Sequence, residues 1–163
     1  NAGMRLVDGE IQIIPYNNAA MGSKCDMSAS STLWKAIKAD GSLVEPGTAG
    51  TLKWDWVSGK IQLTSGAITY KTDSGVGGPY KDMTLASGLT APEIAKMLLL
   101  YPDEPNGDYA GDYHWFNPVG ERLPLCGGHW NDGAGAGVFG LNLNHPRSYA
   151  YWCIGFRSAF VDL

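Results

Sequence analysis

The chain has 163 residues, a length that suits one domain able to bury roughly 70% of its unfolded surface. Charged residues make up 17%, against roughly 25% in ordinary soluble domains, and 12 Lys+Arg against 16 Asp+Glu leave a net charge of −4. With no Lys/Arg cluster to offset that balance, a phosphate-binding surface has no electrostatic footing and no nucleic-acid partner is expected. The longest apolar run, residues 97–101, is far too short to span a bilayer, so no membrane insertion is expected either.

Met4 reads as the natural start of a single domain over residues 4–163, with Asn1-Ala2-Gly3 a processing or expression remnant and no signal peptide. Cys25, Cys126 and Cys153 cannot all pair with one another, and their spacing matches no zinc pattern. Folding in a reducing, cytoplasmic compartment is expected. The 22 glycines are spread along the chain and, with six Trp and eight Tyr, point to short elements joined by tight turns around aromatic packing.

Residues 10–16 carry Ile11 and Ile13 on one face, a strand pattern. Residues 32–38 read as a short helix with Trp34 and Ile37 inward. Residues 51–56 alternate Leu52, Trp54 and Trp56, and strands over 60–64 and 67–72 follow after Ser58-Gly59 and Ser65-Gly66, a β-meander. The clearest helix is expected over 90–101. There Thr90 is the N-cap, Glu93 completes a capping box, Ile94, Met97, Leu98 and Tyr101 form the core stripe, and Pro102 stops the run. Beyond Asp103 the pattern is long loops on short strands such as 137–143 and 153–159. The fold class read from this is α+β, mostly short antiparallel strands.

Residues 123–163 differ from the rest. They contain no Lys, Glu, Gln, Met or Thr, yet include seven glycines. Within them stand Cys126-Gly127-Gly128-His129-Trp130-Asn131-Asp132-Gly133 and Ala136-Gly137-Val138-Phe139-Gly140-Leu141-Asn142-Leu143-Asn144, then Arg147-Ser148 and Ile154-Gly155-Phe156-Arg157. This pattern, entered through Tyr113-His114-Trp115-Phe116-Asn117 and Gly120-Glu121-Arg122, resembles the variable region of diversity-generating retroelement target proteins. Phage tail-tip receptor-binding proteins and related proteins of archaeal viruses and cells belong to that group. The resemblance covers about residues 113–160 and implies a C-type-lectin-like fold with a ligand-binding variable region over about 123–157.

In that family an error-prone reverse transcriptase substitutes bases opposite template adenines, typically in Asn codons. Randomising both adenines of such a codon never yields Lys, Glu, Gln, Met or Trp. The resemblance places template Asn at His129, Asp132, Gly135, His145, Tyr149, Tyr151 and Cys153, each reachable from such a codon. Trp152 is not reachable, so it needs another template codon or is fixed. Ala134, Gly140, Asn142 and Pro146 complete the candidate ligand-binding set. Trp130, Val138, Phe139, Leu141, Leu143, Ile154 and Phe156 read as fixed core positions between them. Tyr149, Tyr151 and Trp152 crowd one short loop, and such rings offer large, rigid contact area with polar tips, as in antibody paratopes.

Two other readings use different residues. Glu104-Pro105-Asn106 with Trp130-Asn131-Asp132 resembles the calcium and sugar motifs of animal C-type lectins, with Glu104, Asn106, Asn131 and Asp132 as ligands. The two motifs lie farther apart than in that family, and its paired cysteines are missing. Formylglycine-generating enzymes share the superfold and need two reactive cysteines, for which only Cys126 and Cys153 are candidates. No neighbouring cation or helix terminus activates either thiol, so no enzyme is expected. The expectation is therefore a binding protein without cofactor or resident metal. Its partner is a protein or glycan on a target cell surface, and its setting a virion tail or cell surface. Ligand identity and oligomeric state are left open.

Overall fold

The structure is a computed structural model that describes residues 3–15, 26–129 and 131–152. Strands β1 (Met4–Val7) and β2 (Glu10–Ile13) form a hairpin through Asp8-Gly9. β5 (Lys53–Val57) and β6 (Lys60–Thr64) form another through Ser58-Gly59. Both central residues of each turn lie at positive φ, the type I′ geometry whose twist matches that of the flanking strands. The remaining strands are β3 (Lys35–Ile37), β4 (Leu43–Val44), β7 (Val76–Pro79), β8 (Thr84–Leu85), β9 (Tyr113–Phe116), β10 (Glu121–Cys126) and β11 (Leu141–His145).

Among the described residues these eleven strands join one sheet in the order β7-β9-β11-β10-β1-β2-β5-β6-β8, with β3 and β4 branching from β2. Two pairs, β9 with β11 and β6 with β8, are parallel. β6 and β7, near opposite ends of the path, pack together, so the sheet curls around its apolar face. Leu6, Ile11, Trp54, Leu63, Phe116, Leu141 and Leu143 fill that interior.

The α+β, C-type-lectin-like expectation is overturned by this architecture. The described chain is mostly β, a mixed sheet with one helix, α1 (Glu93–Met97), of five residues. Pro92, not Thr90, is its N-cap, and no side chain caps it. Its end is a Schellman motif: Leu99 turns left-handed at φ 59°, Leu99 N–H bonds the Lys96 carbonyl and Leu100 N–H bonds that of Ala95. The Trp54 indole N–H then takes the Leu100 carbonyl at 3.0 Å and draws Leu100 into the core. Burial of Leu100 wins over helix continuation, and Met97, expected in the core, is 81% exposed.

Two further expectations change for equally local reasons. Residues 35–37 pair with β2 as a strand instead of forming a helix, although Trp34 and Ile37 do face inward. Residues 67–72 form no strand, because the N–H groups of Thr69 and Tyr70 bond the buried Asp55 carboxylate instead of a neighbouring chain. Strand 137–143 starts late, at Leu141. The expected strand 153–159 lies outside the described residues.

His114 is fully buried on β9, stacked on Tyr80 at 4.4 Å and 5.5 Å from Trp54. Its Nε2 lies 2.7 Å from the Phe139 carbonyl, which assigns the proton to that nitrogen. Burial pushes its pKa down from 6.5 to about 4. The unfolded chain therefore takes up a proton below pH 6.5 that the folded chain refuses until about pH 4. Stability is expected to be complete above pH 6.5 and to fall by about 3 kcal/mol as pH drops through that window. Urea titrations across pH 4–7 measure this slope, and His114→Phe is expected to flatten it.

Candidate functional site: an exposed aromatic strip

Alternation along β11 separates two kinds of residue. Leu141 and Leu143 are buried, while Asn142 and Asn144 lie partly exposed on the other face. Opposite Pro124 the β10–β11 register slips, Leu123 facing His145 and Leu125 facing Asn142. Proline cannot donate to the ladder, and the extra residue of the bulge re-aims Asn144 and His145 as the strand ends.

From that end the chain runs through Pro146, Arg147 and Ser148 into the aromatic loop, where Tyr149 N–H bonds the Pro146 carbonyl. His145 stacks face to face on Tyr149, with ring centroids 3.7 Å apart and planes within 8°. Tyr151 lies 6.1 Å from Tyr149, Trp152 5.7 Å from Tyr151, and His129 6.0 Å from Trp152. The five rings form a continuous strip. Tyr149, Tyr151 and Trp152 are 39%, 51% and 72% exposed, so this loop does not pack under the core. Val138, expected to be a core position, is instead 82% exposed.

The charges beside the strip are compensated internally. Arg147 grips both oxygens of Glu121 at 2.9 and 2.8 Å, and Arg5 bonds the same carboxylate at 2.9 Å. The Arg147 hydrogen bonds hold the Glu121 carboxyl below its usual range. Arg122 pairs with Asp73 at 2.8 Å. His145 is kept neutral more strongly than a free imidazole, first by burial and then by the Arg122 charge. Asp132, proposed from sequence as a contact residue, turns its carboxylate onto the His129 backbone N–H at 2.6 Å, and the Asn131 amide oxygen lies 2.6 Å from His129 Nδ1.

The other candidates divide by burial. Ala134 and Pro146 are exposed. Gly135 lies over Tyr113 and Trp115 with ordinary contact distances around its missing side chain. Gly140 is a correction: it is buried against Gly137 and the Gly127 backbone, and serves the turn, not the surface. Gly137 has its side-chain position filled by the buried Asp112 carboxylate, whose Oδ2 accepts the Phe139 N–H at 2.7 Å. Phe139, expected in the core, is half-buried between Tyr80 and Tyr109. Trp130, Cys153, Ile154 and Phe156 lie outside the described residues.

The calcium set is not assembled. Asn131 and Asp132 are engaged within their own loop, and Glu104 and Asn106 belong to a separate exposed turn tied to Tyr109 and Lys81. Among the described residues no group of three or more His, Cys, Asp or Glu could hold a metal ion. Cys126 stands at the exposed end of β10. Sequence reading missed Glu121 as part of the site. Nothing along the chain signals a pairing 26 residues away.

The sequence matches no protein-family model and no curated protein. Among the described residues no helix is long and apolar enough to cross a membrane.

The packing separates filled from open side-chain positions within one loop. Gly137→Ala drives a methyl into the Asp112 carboxylate and is expected to cost about 2 kcal/mol or more, whereas Gly135→Ala stays within about 0.5 kcal/mol. Chemical denaturation of the two variants measures the contrast.

Proposed function

We propose that this protein is a recognition module presenting a diversified ligand-binding surface, of the kind a diversity-generating retroelement produces. The observation that carries the reading is the exposed rings of Tyr149, Tyr151 and Trp152, flanked by the half-buried His145 and His129. Contiguous exposed rings are what a soluble protein ordinarily avoids, and they mark contact surfaces. Tyr and Trp dominate binding hot spots because each offers broad, rigid area with few rotors and a polar tip. Charge is depleted at the centre of such interfaces, and here each nearby carboxylate or guanidinium already has its partner.

The ligand is a protein or glycan on a target cell surface. The chain acts by binding, without a cofactor or catalytic step, and its setting is a virion tail or cell surface. Changeable side chains at His129, Ala134, Gly135, His145, Pro146, Tyr149 and Tyr151 stand outside the core made by Leu141, Leu143 and Phe116. Substitution there leaves folding intact, which diversification requires.

Sequencing the DNA that flanks the gene tests the reading directly. The expected result is an imperfect copy of the stretch encoding residues 123–157, beside a reverse-transcriptase frame and differing at its adenines. Absence of any such copy overturns diversification. Independently, replacing Tyr149, Tyr151 and Trp152 together with Ala is expected to change stability by less than about 1 kcal/mol, while Phe116→Ala costs about 3–5 kcal/mol. A drop of several kcal/mol in the triple variant would show that the rings are structural.

A further inference from the structure

The aromatic loop has few ties to the rest of the molecule. Among the described residues, the hydrogen bonds that leave 146–152 for the sheet both come from Arg147, Nε to Glu121 Oε2 and Nη2 to Glu121 Oε1. The planar fork of an arginine against a carboxylate fixes direction as well as distance, which a lysine cannot do. Glu121 is itself immobilised. It starts β10, where Val7 of β1 faces it, and its Oε1 also accepts Arg5 Nη1.

Arg5 is held on every side. Its Nε donates to Gln12, Nη1 also donates to the Ala29 carbonyl, and its guanidinium lies 4.2 Å over the Trp34 ring. The carboxylate therefore joins one buried arginine of the scaffold to one partly exposed arginine of the loop. Asp26 contributes further negative charge near Arg147.

We infer that Glu121 is the positioning residue of the recognition loop. By gripping Arg147 with both oxygens, it sets Tyr149, Tyr151 and Trp152 in one arrangement before any ligand arrives. The inference rests on the recognition reading of the strip. Its consequence is entropic: a loop already ordered loses less freedom on binding, so more of the contact energy appears as affinity. Arg147 and Glu121 need touch no ligand to have this effect, and the rings can change identity while the clamp stays the same.

The test uses the whole chain without ligand, by NMR, in Arg147→Ala, Arg147→Lys and Glu121→Gln. In Arg147→Ala the Tyr149 amide is expected to exchange about tenfold faster while Leu143 and Phe116 amides keep their protection. His145, uncovered as Tyr149 moves away, is expected to titrate closer to the ordinary 6.5. Arg147→Lys restores part of both signals, since a point charge replaces a fork. Glu121→Gln loosens the loop equally and also lowers the melting temperature, because Arg5 keeps a buried guanidinium without its carboxylate. Unchanged Tyr149 exchange and unchanged His145 titration in Arg147→Ala would overturn the inference, and so would loss of protection spread evenly through the core. Tyr151→Ala leaves the clamp in place and should move neither signal. A missing template copy would therefore sink diversification, and a triple Tyr149, Tyr151 and Trp152 to Ala variant that lost several kcal/mol would sink the recognition reading, each leaving the clamp standing, whereas silent NMR signals in Arg147→Ala would do the reverse.

Discussion

The burial of His114 between Trp54 and Tyr80 is the contact around which the rest of the molecule is arranged, because one side chain there joins three separate parts of the chain. Trp54 comes from the hairpin half of the sheet, Tyr80 from the turn after β7, and the Phe139 carbonyl from the glycine-rich loop before β11. An imidazole does this where a larger apolar side chain would not, since it offers both a flat face for stacking and one N–H for a carbonyl. The cost is a buried ring nitrogen, Nδ1, with no partner among the described residues. That cost is tolerable only while the ring is neutral, so the centre of the fold is also its acid-sensitive point.

From that centre the structure grades outward into a surface of exposed side chains. Asp112 and Phe139 hold the glycine-rich loop to the core, and Leu141 and Leu143 anchor the strand that follows. Among the described residues beyond β11, 146–152 are all exposed and present rings to solvent. A large-to-small change at Leu143 would open a cavity, whereas a change at Tyr151 exchanges one solvated side chain for another. The stability of the scaffold and the identity of its exposed loop residues are in this way nearly independent, which is the physical requirement for any surface whose sequence is to be rewritten.

How much of this was legible in the sequence depended on the range of the interaction concerned. Ile11 and Ile13, Trp54, and the Ser58-Gly59 turn declared their strands, because period-two alternation and a short turn are local facts. The crowding of Tyr149, Tyr151 and Trp152 likewise declared an exposed loop. The helix over 90–101 failed although its local pattern was good, because the Trp54 indole captured the Leu100 carbonyl from the far side of the core. The strand over 67–72 failed because the Asp55 carboxylate claimed its backbone donors. The C-type-lectin-like architecture failed with them, since it drew on both the resemblance and that long helix. Glu121 was invisible as a site residue because its partners, Arg5 and Arg147, lie far away on either side of it in the chain.

The distribution of charge explains why such a strip can remain exposed without making the protein adhere to everything. Uncompensated charge beside aromatic rings would draw any oppositely charged surface at long range. Here Glu121 takes two arginines, Asp73 takes Arg122, and Asp132 spends its carboxylate on a backbone N–H. What is left is short-range: ring faces, hydroxyl and indole tips, and the shape in which they are held. Under the proposed recognition role, affinity for a partner would depend on fit over the whole strip, since no single ion pair is available to supply it. A surface of that kind rewards a loop whose geometry is set in advance, and the same carboxylate that silences Arg147 electrically is the one that fixes it in place.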